Sequence, residues 1–146
     1  MIKIVNGNIL DAKEDVIAHQ VNCKKVMGGG LALQIKNKYP EVYSEYLSFF
    51  DIYGKQLGRC QMVLCKDGKT IANLFGQYDY GTLKQHTNYD YLKISLKSLL
   101  FNLKRHNLSV AIPYNMGCGL GGGDWNTVYK IIEEVFEGYN VTIYKL

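Results

Sequence analysis

The stretch Val16-Ile17-Ala18-His19-Gln20-Val21-Asn22 starts apolar and ends polar, and Met27-Gly28-Gly29-Gly30-Leu31-Ala32 follows it within a few positions. A short β-branched and apolar run of this kind reads as a strand buried on both faces, as in a parallel sheet. The glycines then lead into helical spacing at Leu31, Ile35 and Tyr39. Strand, glycine-rich turn and helix form the repeating unit of an α/β sheet. Outward from this unit the alternation continues. Residues 2–5, 60–66, 69–75, 109–113 and 141–144 read as further strands, and Lys66-Asp67-Gly68-Lys69 as a hairpin turn. Helical spacing recurs at Tyr43, Tyr46, Leu47 and Phe50 behind Pro40, at Leu92, Leu96, Leu99, Leu100 and Leu103, and at Val128, Ile131, Ile132, Val135 and Phe136 behind Asp124, a natural N-cap. This order predicts an α/β fold whose mostly parallel sheet carries helices on both faces and one antiparallel element from the hairpin.

The chain has 146 residues, 47% of them apolar and 21% charged, which suits one globular domain over 1–146. A chain of this length buries roughly two-thirds of its unfolded surface, enough for a core without disulfides or a structural metal. The net charge of +4 comes from scattered basic residues and is too weak a bias to point to nucleic acid. Cys23, Cys60, Cys65 and Cys118 make no C-x-x-C pair, so neither a disulfide framework nor a zinc site is expected. A reducing, cytoplasmic setting is the expectation, with no membrane partner, because the longest uncharged run, 107–123, is broken by Pro113 and several glycines.

More than half of the fifteen glycines fall in two segments, 28–30 and 117–123, each running into a predicted helix. Glycine lets backbone N–H groups approach an anion, and a helix N-terminus adds unpaired donors, so two such cradles suggest a diphosphate; tight turns are the simpler alternative. Gly117, Gly119 and Gly122 match G-x-G-x-x-G, but the chain ends before the strand and acidic residue that a dinucleotide fold requires. The segment 76–87 reads either as a lid over a site or as a self-packed surface loop. His19 and Asn22, polar at the end of a buried strand, suit phosphoryl chemistry and a ribose hydroxyl or water; a histidine satisfied by the backbone is the alternative. Cys118, lacking an arginine six positions on, reads as a small residue filling its loop.

Taken together, Val5-Asn6-Gly7-Asn8-Ile9-Leu10, His19-Gln20-Val21-Asn22-Cys23 with Met27-Gly28-Gly29-Gly30-Leu31-Ala32, and Ile112-Pro113-Tyr114-Asn115-Met116-Gly117-Cys118-Gly119-Leu120 resemble the motifs of macrodomains. The resemblance covers essentially the whole chain. It implies a three-layer α/β/α fold around a central mixed, mostly parallel sheet, and ADP-ribose as the ligand, with no cofactor and no metal. The first motif carries Asn8 where the family has an aspartate for the adenine amino group. By resemblance Asn8, Ile9 and Tyr144 meet the adenine. Asn22, Gly28, Gly29, Gly30, Leu31, Ala32 and Leu33 meet the distal ribose and phosphate, and Val21 and Cys23 also bind the substrate. Asn115, Met116, Gly117, Cys118, Gly119, Leu120 and Gly121 wrap the diphosphate.

Within the superfamily the chain is similar to the branch holding ADP-ribose 1''-phosphate phosphatases and terminal ADP-ribose glycohydrolases. The glycohydrolase lysine and aspartate align with Gln77 and Gly121, so that pair is missing, although Lys84 and Asp124 lie near. The phosphatase histidine and aspartate align with His19 and Asp79. The resemblance therefore implies hydrolysis of ADP-ribose 1''-phosphate. In that reaction His19 attacks phosphorus or activates water, and Asp79 orients the imidazole or protonates the departing ribose oxygen. A hydrolase that removes ADP-ribose from protein or nucleic acid, and a non-catalytic ADP-ribose reader, are the alternatives.

Overall fold

The computed structural model describes residues 1–146. Its strands are β1 (Ile2–Asn6), β2 (Val16–Val21), β3 (Cys60–Leu64), β4 (Thr70–Phe75), β5 (Val110–Pro113) and β6 (Val141–Lys145). Its helices are α1 (Gly30–Lys38), α2 (Pro40–Ile52), α3 (Tyr89–His106) and α4 (Trp125–Val135), with one 3₁₀ turn at Ile9–Asp11. The strands form one sheet in the order β1-β6-β5-β2-β4-β3, parallel throughout except for β3 against β4. This is the expected macrodomain-like α/β architecture with its hairpin-derived antiparallel edge.

Alternation along β2 builds the layers. Val16 and Ala18 face the core shared with Leu92, Leu96, Leu99 and Leu103 of α3 and Val128 and Ile132 of α4. Ile17 and Val21 face the opposite core, with Ile35 of α1 and Val42 and Tyr46 of α2. Caps set the helix boundaries: Pro40 occupies the first turn of α2, and the Asp124 carboxylate accepts from the Thr127 amide at the start of α4. The Asn88 side chain accepts from the Asp90 and Tyr91 amides at the start of α3.

The connections decide where a ligand fits. After β2 the chain passes through α1 and α2 to the β3–β4 side of the sheet, whereas after β5 it passes through α4 to β6 on the other side. β2 and β5 are neighbours that pair only at Val16–Val110 and Ile17–Ala111, and their carboxyl ends do not pair with each other. A crevice beyond two parallel strands whose connections leave in opposite directions is where open α/β sheets bind ligands.

Candidate functional site

A cavity of about 600 Å³ occupies this crevice, a volume within the usual range for small-molecule sites. The two glycine segments meet there. Gly28, Gly29 and Gly30, with Leu31 and Ala32, form one wall, and Asn115, Met116, Gly117, Gly119, Leu120 and Gly121 the other. At Gly29 an added Cβ would stand 2.7 Å from Leu120 Cδ1, so the two loops touch across the cavity. Val21, Asn22 and His19 border it from β2 and the residue after it.

No Lys, Arg, Asp or Glu side chain borders the cavity. What its walls offer instead is backbone. The N–H groups of Gly28, Gly29, Gly117, Gly119, Leu120 and Gly121 donate to no other group of the protein. Gly117 has φ +75°, a left-handed conformation that glycine adopts freely and that turns its peptide within the loop. An uncharged wall with six free donors at the start of α1 and in the β5–α4 loop suits an anion held by amides.

The 76–87 segment forms the outer wall through Tyr80, Gly81 and Thr82. Its root is closed by an antiparallel bridge between Gln77 and Thr87. A buried polar knot ties this root to the β5–α4 loop. Gln20 Nε2 donates to Gln77 Oε1 at 2.6 Å and to Thr87 Oγ1 at 2.8 Å, and the Thr87 hydroxyl donates to the Gly117 carbonyl at 2.7 Å. The Gly121 carbonyl accepts from the His86 and Thr87 amides. Gly121 is enclosed by this knot, and an added Cβ would lie 2.4 Å from Thr87 Oγ1 and 2.6 Å from the Gly117 carbonyl.

His19 is only 2% exposed. Its Nε2 lies 2.6 Å from Asn73 Oδ1, and its Nδ1 is buried with no partner in the protein. Burial lowers its pKa to about 4, and the Asn73 hydrogen bond only partly opposes that shift. The imidazole is therefore neutral at neutral pH. It is held by Asn73 and not by Asp79, the residue expected to orient it. The reason is register, since His19 on β2 lies directly beside Asn73 on β4. The Asp79 carboxylate instead accepts from the Tyr80 amide, and Asp79 does not line the cavity.

Several other expected contact residues also stand outside the cavity wall. The Asn8 side chain caps the 3₁₀ turn by accepting from the Leu10 amide, and Ile9 is buried in the α1–α2 core. Tyr144 donates its hydroxyl to Glu14 Oε1 at 2.7 Å. The Cys23 amide binds the Tyr78 carbonyl, and Leu33 lies on the outer face of α1, partly exposed. The Cys118 thiol points back to the Met116 carbonyl, and its pKa is pushed up to about 11, chiefly by burial and further by Asp124. It is a thiol at neutral pH, not an activated nucleophile. Sequence reasoning did not single out Asn73, Gln20 or Thr87. The alternation of β2 marks Gln20 as facing opposite to His19, but Asn73 and Thr87 acquire a role only through strand register and loop closure.

A family model for the Macro domain matches residues 18–132. A Thermus aquaticus protein named DNA ADP-ribosyl glycohydrolase is 30% identical over 99% of this chain. The chain spans 41% of that relative's length. A Saccharomyces cerevisiae protein named ADP-ribose 1''-phosphate phosphatase is 24% identical, with 99% of this chain and 98% of the relative covered. Among solved structures, the macrodomain of Mycobacterium tuberculosis DarG superposes with a TM-score of 0.86 at 28% identity, covering 99% of this chain and 97% of that one.

Proposed function

Because this chain belongs to the Macro domain family, we propose that its cavity binds an ADP-ribosyl group and that the protein hydrolyses ADP-ribose 1''-phosphate to ADP-ribose and phosphate. The observation that carries this reading is the combination of two amide-lined loops with a buried, neutral histidine whose Nδ1 has no partner. The diphosphate lies on the 117–121 amides, and the terminal phosphate lies near Gly28–Gly30 at the start of α1. The adenine extends toward Asn8, Ile9 and Tyr144. Asn22 meets the distal ribose. The neutral imidazole keeps a lone pair on Nδ1, and the phosphate brought beside it raises its proton affinity, which makes it a stronger base for the reaction.

His19 then acts on phosphorus either directly, forming a P–N bond as the bond to the ribose oxygen breaks, with water then cleaving the P–N bond to release phosphate, or by taking the proton of an attacking water. Asp79, on the loop that forms the outer wall, passes a proton to the departing ribose oxygen. Phosphate release by wild type, His19→Ala and Asp79→Ala tests the assignment. Loss of turnover in both variants with ADP-ribose binding retained is expected, and equal rates in all three overturn it. Acid-labile phosphohistidine trapped by rapid quench separates direct attack from base catalysis.

A second reading is removal of ADP-ribose from DNA or protein, supported for DNA by the name of the 30% identical Thermus aquaticus relative. Against it stand Gln77, held by Gln20 and by the Asp79 carbonyl, and Gly121, where the knot leaves no room for an aspartate. If ADP-ribosylated DNA or protein loses its modification, and Lys84→Ala abolishes that loss while His19→Ala does not, this second reading replaces the first.

A further inference from the structure

Three side chains in adjacent register cross the sheet from the cavity to α2. His19 on β2 stands beside Asn73 on β4, and Asn73 stands beside Gln61 on β3. All three are buried, at 2%, 0% and 8% exposure. Asn73 Nδ2 donates to Gln61 Oε1 at 3.0 Å, and Gln61 Nε2 donates to the backbone carbonyl of Glu45 at 2.8 Å. The direction of this chain is set at its far end. A backbone carbonyl can only accept, so Gln61 must turn its NH₂ toward Glu45 and its oxygen toward Asn73. Asn73 must then present its NH₂ to Gln61 and its oxygen to His19. An oxygen facing Nε2 at 2.6 Å requires a proton on that nitrogen.

We propose that Asn73 and Gln61 are positioning residues, forming an amide relay anchored on the Glu45 carbonyl that fixes His19 as its Nε2–H tautomer and leaves Nδ1 bare. The proposal rests on His19 being the reacting base or nucleophile. A neutral imidazole has one bare nitrogen, and the relay ensures that it is Nδ1, which has no partner in the protein. Both amides are consumed within the chain, so neither can turn over without leaving a buried donor or acceptor unpaired. Nothing in the segment 60–75 read as sequence separates these two amides from ordinary strand residues.

Ring-nitrogen chemical shifts of ¹⁵N-histidine-labelled protein test this at neutral pH. His19 is identified by comparison with His86→Gln and His106→Gln variants, since the chain has three histidines. The wild type is expected to show one tautomer, protonated at Nε2. Gln61→Met keeps the length of the side chain, removes the anchor without touching the imidazole, and is expected to give averaged tautomers. Asn73→Leu is expected to do the same. In both variants kcat for phosphate release should fall by about tenfold or more with KM unchanged, as tautomer errors do at other histidine sites. An Nδ1–H wild type overturns the relay, as does a Gln61→Met ring that keeps the wild-type tautomer. The wild-type spectrum decides even where a variant fails to fold. A wild type with the stated tautomer that releases no phosphate supports the relay and overturns the phosphatase reading instead.

Discussion

At the residue scale, His19 links chemistry to stability. Its pKa falls from the ordinary 6.5 to about 4 because burial disfavours the charged ring. Between these values the unfolded chain binds the proton and the folded chain does not, so stability rises with pH across this window. The contribution is complete above pH 6.5 and is lost as pH falls toward 4, an effect of roughly 3 kcal/mol. Urea denaturation at a series of pH values should show this slope in the wild type and a flatter one in His19→Gln. Equal slopes would remove His19 as the cause. His19 was legible in the sequence because a polar side chain interrupts a buried apolar strand. Asn73 sits in a similar strand and was not, since its importance comes from standing beside His19 across the sheet.

At the element scale, the strands and helices followed from periodicity, and their boundaries from caps. The 60–66 strand ends at Leu64 because the Cys65 amide already closes the hairpin onto the Lys69 carbonyl. The 3₁₀ turn at Ile9–Asp11 went unread because three residues show no periodicity; two backbone bonds, Asp11 to Asn8 and Ala12 to Ile9, and the Asn8 side-chain cap close it. The β5–α4 loop carries its own prediction. Gly121→Ala would drive a methyl into Thr87 Oγ1 and the Gly117 carbonyl, neither of which can move without breaking the knot. A loss of about 1–3 kcal/mol in thermal denaturation is expected, together with weaker ADP-ribose binding by calorimetry. A variant with unchanged melting and affinity would show that the loop is not held by this close approach. The 76–87 segment was ambiguous because loop composition does not say what lies beneath it. The Gln77–Thr87 bridge and the bonds to Gly121 are what make it a wall of the cavity.

At the scale of the whole molecule, the net charge of +4 is spread over a surface that contributes no charged side chain to the cavity. An anion held by amides does not depend on cationic side chains, and exposed charges more than a Debye length away are screened. ADP-ribose affinity measured by calorimetry should therefore change by less than about threefold between low and molar salt. A steep fall would point to a lysine or arginine reaching the ligand in solution. The sequence by itself determined the α/β order, the two glycine loops, the helix starts and the histidine at the end of a buried strand. These are local matters of periodicity, capping and backbone freedom. Only the tertiary structure decided that β2 and β5 are neighbours whose connections part, that the two loops touch across one crevice, and that Asn73 and not Asp79 holds the imidazole. Each of those depends on contacts between residues far apart in the chain, which strand pairing and register create.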